Sequence, residues 1–190
     1  MQIKPELLAK CRKNDRKSHN ELYRHCFGFM MGICLRYASN REDAESFLNQ
    51  AFLKIISNLD KYKEEIPFGS WVNRITINTI IDEFRKDKNR RETMTNVDFQ
   101  EFRSSSHPAD FNAASEELDA EELRTMIQQL PNMSRKVFNL YAIEGYSHKE
   151  IGEMLGISDG TSKWHVSSAR KSLQDMIKEA MKRMMAIGIF

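Results

Sequence analysis

The sequence predicts an all-α protein: two small helical domains joined by a flexible linker. Three observations carry that expectation. Apolar residues recur at the spacing of one helix face through three separate stretches. No alternating, glycine-bounded strand pattern appears between them. The intervening "FRSSSHPADFNAAS" holds serines, a proline and no periodicity, which is the composition of a linker.

The first apolar stripe is Leu22, Cys26, Phe29, Met30, Ile33 and Leu35. The second is Ala44, Phe47, Leu48, Ala51, Phe52, Ile55 and Ile56, after "NRED", where Asn40 can cap and the acids suit a helix start. A third runs from Ser70 through Trp71, Val72, Ile75, Ile77, Ile80, Ile81 and Phe84. Its β-branched residues would permit a strand, but apolar spacing sustained over 15 residues favours a helix. Beyond the linker, the acidic "SEELDAEELRTMIQQL" opens a second domain, and Pro131 stops that helix or begins the next. "MSRKVFNLYAI" gives one more helix, ended by Gly145. The expected domains are residues 1–92 and 116–190, with the linker at 93–115 and no internal repeat.

Composition narrows the function classes. At 190 residues, with 41% hydrophobic and 29% charged residues, the chain fits a folded globular protein. No apolar run reaches the roughly 18 residues a membrane span needs, and "MQIKPELLAKCRKND" is too charged for a secretory signal. A cytoplasmic protein is expected. Cys11, Cys26 and Cys34 lack metal-ligand spacing and are read as reduced, packed thiols; His25 beside Cys26 has no second ligand cluster. No metal or other cofactor is expected. The net charge of +2 hides a strong asymmetry. "RKDKNRR" (Arg85 to Arg91) holds five basic residues against one acidic, whereas Asn96 to Glu122 holds eight acids against Arg103 alone. Surfaces for an anionic partner would thus flank a segment that the partner repels.

The most specific pattern is "YSHKEIGEMLGISDGTSKWHVSSARKSL". Ser147 to Glu150 spells a capping box, and Ile151, Met154 and Leu155 supply a buried face. Gly156 suits the left-handed backbone of a sharp turn, Ile157 plugs the angle, and Ser158 caps a second helix. That helix is expected to bury Thr161, Val166, Ala169 and Leu173, or residues close to those. The order is that of a helix-turn-helix, whose second helix enters the DNA major groove. Lys163, Trp164, Ser167, Ser168 and Lys171 then face outward, with Asp159 and Gly160 at the tip. Lysine reaches guanine acceptors or phosphate, serines meet base edges or backbone, and a flat indole packs on thymine methyls or sugars.

In the first domain, "FGSWVNRITINTIIDEFRKDKNRR" sets Phe68, Trp71 and Asn78 near a loop, Lys61 to Gly69. Aromatics interleaved with Arg74, Arg85, Lys86 and Lys88 suit stacking and phosphate contact with single-stranded nucleic acid. Read singly, Phe68 and Trp71 are core aromatics and the basic run is a solvated surface.

Taken in order, these motifs resemble a bacterial sigma factor of the extracytoplasmic-function type, an initiation subunit of RNA polymerase. The residues that carry the likeness are Asp43-Ala44-Glu45, Phe68-x-x-Trp71, Ile75-x-x-Asn78, Asp82, Arg85, Leu130-Pro131 and the helix-turn-helix. The resemblance implies that residues 1–92 bind core polymerase and recognise and melt the −10 element, and that 116–190 read the −35 element. Asp43, Glu45, Phe47, Asn49, Gln50 and Phe52 would dock on the polymerase's clamp helices, with the flap as a further contact. Where the family commonly has Gln-Glu, this chain has Asn49-Gln50, one carboxylate fewer. The Lys61 to Ser70 loop, with Asn78, would receive a flipped base; Lys61, Phe68, Trp71 and Arg74 would meet the same element, and Arg85, Lys86, Lys88, Arg90 and Arg91 would hold backbone near the melting point. Lys149, Gly160, Thr161, Lys163, Trp164, Ser167, Ser168 and Lys171 would meet the −35 duplex. Members often carry Arg where Trp164-His165 and Ser167-Ser168 stand here, so a more methyl-rich target is implied. The acidic linker would run towards the RNA exit path, an anti-sigma factor would be a partner, and a stress or envelope response the setting.

No catalytic constellation accompanies these motifs: there is no phosphate-cradling glycine loop, and no nucleophile with a base at workable spacing. Asp43 and Glu45, two apart on a helix, diverge and do not pair on a metal. Two other readings remain at this point. One is a stand-alone helix-turn-helix regulator that binds duplex DNA as a dimer. The other is a helical adaptor with incidental basic patches. The apolar end "MKRMMAIGIF" is read as packing on its own helix.

Overall fold

The structure is a computed structural model that describes Met1, residues 3–94 and residues 120–186, without the side chains of 87–94, 120 and 184–186. Among the described residues every regular element is helical. Two compact units divide at Val97 and Asp98. The linker expected at 93–115 lies outside the described residues, apart from Thr93 and Met94 at a helix end.

In the first unit, α1 (Pro5–Arg12) is a helix that periodicity did not reveal. Eight residues are too few to display a stripe, but Pro5 suits the first turn, and Leu7, Leu8 and Cys11 are buried. Asn14, at a φ of 59°, turns the chain into α2 (Arg16–Tyr37), and Asp15 caps α2 by accepting from the Ser18 amide at 2.9 Å. Leu22, Cys26, Met30 and Ile33 are buried as expected, but Phe29 and Leu35 are exposed. Cys34 takes the inward position instead of Leu35, its neighbour about 100° round the helix, and Tyr37 continues the stripe.

Helix α3 (Arg41–Ser57) begins at the expected cap, where Asn40 Oδ1 accepts from the Asp43 amide at 2.7 Å. Ala44, Leu48, Ala51, Phe52 and Ile55 are buried, while Phe47 and Ile56 are half-buried. After a 3-10 turn at Leu59–Lys61, α4 (Phe68–Met94) starts two residues before the predicted Ser70. Val72, Ile77, Ile80 and Ile81 pack inward, and Trp71, Ile75 and Phe84 are half-buried. Thr76 and Thr79 are buried too, because each hydroxyl donates to the carbonyl four residues back at 2.8 Å and needs no other partner. Phe47 meets Phe84 edge-on at 5.7 Å, and Lys54 Nζ sits 2.8 Å from Asp82 Oδ2, so α3 and α4 are tied along their lengths.

In the second unit, α5 (Ala120–Gln129) leads to α6 (Asn132–Phe138), with Pro131 at the cap of α6 rather than inside either helix. The pattern read as one helix to Gly145 passes into a π turn at Asn139–Ile143, closed by the Glu144 amide donating to the Asn139 carbonyl at 3.0 Å. Gly145, at a φ of 78°, ends it. Helix α7 (His148–Leu155) opens on the full capping box: the Ser147 amide donates to Glu150 Oε2 at 2.8 Å, and the Glu150 amide donates to Ser147 Oγ at 3.3 Å. The Ser147 hydroxyl also donates to that carboxylate and holds its pKa below the usual range. Gly156 adopts the left-handed conformation at a φ of 65°, and Ser158 Oγ accepts from the Thr161 amide at 3.0 Å to start α8 (Asp159–Ala186). Val166, Ala169 and Leu173 are buried as expected. Thr161 is not: it is half-exposed, and Ser162 is the residue turned inward, its hydroxyl met by His148. Leu130, Phe138, Ala169 and Leu173 form one cluster of the core, with Met126, Ile127 and Met176 packed around it. Residues 187–190 of the apolar end lie outside the described residues.

The turn between α7 and α8 imposes one constraint that the motif had not suggested. A Cβ on Gly152 would stand 2.8 Å from the Ile157 carbonyl oxygen, a backbone atom with no rotamer to give way. Gly152→Ala ordinarily gains helix propensity, by about 1 kcal/mol. Here the overlap is expected to outweigh that gain, with a net loss of roughly 1–3 kcal/mol in denaturant unfolding of the full chain. A gain in stability would show that the turn yields.

Candidate nucleic-acid interface

In the first unit the chain between Tyr62 and Pro67 is folded back on itself, with the Tyr62 hydroxyl donating to the Ile66 carbonyl at 2.8 Å. That bond brings the Tyr62 ring onto Phe68 (5.1 Å, edge-on) and Trp71 (5.1 Å, tilted), and Phe68 meets Trp71 at 5.7 Å. Phe68 is only 5% exposed, so it is the floor of this cluster and cannot itself stack on a base. Trp71 and Tyr62 are half-exposed. Tyr62 was absent from the sequence-derived set. Its signal was its place in "DKYK", one residue beyond Lys61 and inside the loop. Trp71, Arg74 and Asn78 follow at spacings of three and four on α4, hence along one side, and both Arg74 and Asn78 are exposed. Arg85 and Lys86 are exposed farther along, with Lys86 Nζ 2.6 Å from Glu83; Lys61 is exposed on the 3-10 turn. The side chains of Lys88, Arg90 and Arg91 lie outside the described residues.

On α3, Asp43, Glu45 and Asn49 are exposed and Gln50 is half-exposed. Arg41 pairs with Glu45 at 2.9 Å, and Asn49 Oδ1 accepts from the Tyr23 hydroxyl at 3.1 Å. The two phenylalanines expected beside them are inward instead: Phe52 is 9% exposed beneath the Tyr23 ring at 4.9 Å, and Phe47 leans on Phe84. They shape the helix from behind. The apolar side chain this face does present is Leu53, 70% exposed and four residues after Asn49. It was missed because an apolar residue in an apolar stretch gives no sign of pointing out.

In the second unit, Lys163 and Lys171 are exposed on α8, Trp164, Ser167 and Ser168 are half-exposed beside them, and Gly160 and Lys149 are exposed near the helix starts. Lys163 Nζ lies 2.6 Å from Asp159 Oδ2, a surface pair one turn apart that polyanion can displace. Behind this face stand two histidines the motif reading left without a role. His148 stacks on Tyr141 at 4.4 Å, with its Nδ1 3.0 Å from Ser162 Oγ; the Arg170 guanidinium lies 5.8 Å over the same Tyr141 ring. His165 Nδ1 is 3.0 Å from Ser134 Oγ on α6, and its ring meets Trp164 at 4.8 Å. Burial pushes both imidazoles down from their ordinary value; for His148, Asp159 opposes the shift while Lys163 and Arg170 add to it.

The three thiols are buried, and burial pushes Cys26 and Cys34 up to about 12 and Cys11 in the same direction. Such groups stay protonated and unreactive at neutral pH. Among the described residues no three His, Cys, Asp or Glu side chains are grouped to hold a metal, and no helix is long and apolar enough to cross a membrane.

Residues 22–91 match the family described as Sigma-70 region 2, and residues 120–173 match Sigma-70, region 4. The chain is 31% identical over 153 residues to the ECF RNA polymerase sigma factor SigW of Bacillus subtilis, covering 77% of this chain and 82% of that one. It is 24% identical over 181 residues to the ECF RNA polymerase sigma-E factor of Haemophilus influenzae, covering 92% and 95%. Among solved structures it resembles the sigma factor RpoE in complex with the anti-sigma factor NepR from Bartonella quintana, at 20% identity and a TM-score of 0.49 over 85% of this chain and 98% of that one.

The lowered histidines set a pH dependence. Between their ordinary value of 6.5 and the lower folded value, the unfolded chain binds more protons than the folded one. Their contribution to the stability of the second unit is therefore full above about pH 7 and lost as pH falls through the folded values. Thermal unfolding between pH 7.5 and 5 should show this decline, with a shallower slope in His148→Gln/His165→Gln. An equal slope would place the titrating groups elsewhere.

Proposed function

The chain belongs to the extracytoplasmic-function sigma factors and directs RNA polymerase to promoters, and from that premise we propose how its two units divide the work. Residues 1–92 bind core polymerase and open the −10 element; residues 116–190 read the −35 element as duplex; residues 93–115 join them. The polymerase supplies the chemistry and this chain the positioning, so it is not itself an enzyme. The observation that carries the reading is that one chain holds two different kinds of surface. One is a ring cluster with exposed Arg74 and Asn78 beside it. The other is a fully capped helix-turn-helix that presents Lys163 and Trp164.

Opening a duplex costs a few kcal/mol per unstacked step, and a base received by aromatic faces and an amide offsets that cost. Tyr62 and Trp71 supply the faces, Phe68 supports them, Asn78 offers the amide, and Lys61, Arg74, Arg85, Lys86 and Lys88 hold phosphates. On α8, Lys163 and Lys171 reach phosphate or guanine, Trp164 covers methyl-rich edges, and Ser167 and Ser168 bond bases or backbone. Lys149, Gly160 and Thr161 border the same groove, with the capped helix starts offering amides to phosphate. Asp43, Glu45, Asn49 and Gln50 dock on the clamp helices with Leu53 as their apolar contact, Phe47 and Phe52 backing them, and the flap meets the second unit. The site of action is the cytoplasm, and an anti-sigma protein that covers these faces until a stress or envelope signal arrives is the expected regulator.

The regulator alternative is separated by run-off transcription with purified core polymerase on a randomised promoter library. Enrichment of a bipartite motif supports the division of work, whereas dimeric duplex binding without polymerase opposes it. Asn78→Ala should slow open-complex formation by tenfold or so, in line with about 1–2 kcal/mol for a buried polar contact, with core binding unchanged. Loss of core binding would show that Asn78 has another role. Lys163→Ala and Trp164→Ala should each alter upstream-element preference by roughly 1–3 kcal/mol, read from competition between promoter variants.

A further inference from the structure

Trp164 and His165 are neighbours in sequence, and successive residues on a helix point about 100° apart. Their rings nevertheless meet at 4.8 Å and 70°, which requires each side chain to lean towards the other. The lean of His165 has a visible cause. Its Nδ1 is bonded at 3.0 Å to Ser134 Oγ, and Ser134 is 3% exposed on α6, a helix packed against α8. His165 is thus held at one end by a buried hydroxyl and presents its ring at the other. Trp164 is half-exposed next to the exposed Lys163, and its ring meets that of His165 edge-on.

We propose that His165 and Ser134 are positioning residues for promoter reading: together they fix the indole of Trp164 before DNA arrives. The inference rests on the reading of Trp164 as a contact to the upstream element. An unsupported tryptophan samples several rotamers, and ordering it on binding costs conformational freedom. An indole already held in place avoids that loss for sequences whose methyl groups fit its fixed position, and gains nothing for the others. The support therefore acts on specificity more than on general affinity. Ser134 is buried on α6, outside the helix-turn-helix, so any effect on sequence choice would act through His165 rather than by contact with DNA.

The chain has two tryptophans, so an ¹⁵N–¹H spectrum of the full-length protein contains two indole signals. Loss of one signal in Trp164→Phe assigns it. In Ser134→Ala, which lacks the hydroxyl, and in His165→Gln, which lacks the ring, the heteronuclear NOE of the Trp164 indole should fall while that of Trp71 stays. With core polymerase, the preference of both variants among upstream-element sequences should weaken about two- to tenfold, the range an aromatic pair contributes, and in the direction set by Trp164→Ala. Overall salt dependence of binding should be unchanged, since no phosphate contact is removed. If Trp164→Ala alters preference but both support variants keep the wild-type indole dynamics and preference, the positioning role is overturned. If Trp164→Ala leaves preference unchanged, the underlying reading of Trp164 fails, and the role in specificity goes with it. His165→Phe, which keeps a ring but cannot bond Ser134, guards against misfolding of Ser134→Ala. It should lower the indole NOE through loss of the anchor, and a wild-type value there counts against the proposal.

Discussion

The approach of α7 to the turn that follows it is the constraint on which the second unit depends. Gly152 admits the Ile157 carbonyl where any side chain would collide, Gly156 takes a left-handed step, and paired caps at Ser147 and Ser158 satisfy the helix starts on either side. With those angles set, α8 has one orientation on the core of Leu130, Phe138, Ala169 and Leu173. Its outward side chains are then selected by geometry. The first unit reaches a comparable definition by other means: α3 and α4 are joined through the Phe47–Phe84 contact and the Lys54–Asp82 pair. The pair is about half-exposed and contributes little by itself, so the rings and the buried isoleucines carry most of that junction.

Departures from the usual family residues gain meaning from what surrounds them. Asn49, where the resemblance led us to expect a glutamine, accepts from Tyr23 and so is tied to α2 as well as facing outward. The tryptophan and histidine on α8, where the resemblance led us to expect arginines, are tied into the second unit. One leans on the other, and the second is anchored to α6. On the proposed reading of this face, a supported ring favours contact with base edges over attraction to the backbone.

Much of this was legible in the sequence, because it is written locally. The cap at Asn40, the capping box, the left-handed glycine and the second cap all appear where short-range chemistry requires them. The stripe on α4 was legible as helix despite its β-branched content. What escaped depends on contacts between distant segments. The burial of Phe52 and Phe68 was legible in the stripe and in their ring chemistry, but the tyrosines that meet them, Tyr23 and Tyr62, were not. Ser162 replaced Thr161 in the interior because His148 meets its hydroxyl, 14 residues away. Helix α1 was too short to announce itself, and the outward Leu53 looked like any other member of an apolar run.

The π turn at Asn139–Ile143 has a consequence for how this half of the molecule tolerates change in chain length. A bond from the Glu144 amide to the Asn139 carbonyl encloses one residue more than an α-helical turn would. Tyr141 sits within that widened arc and is the shelf on which His148 lies and over which Arg170 is placed. Deleting a single residue there would restore an ordinary turn and rotate the shelf by about 100°. His148 and Arg170 would lose that support without any change to the residues on α8 proposed to meet DNA, so the length of this arc is a lever on the second unit that acts from behind its exposed face.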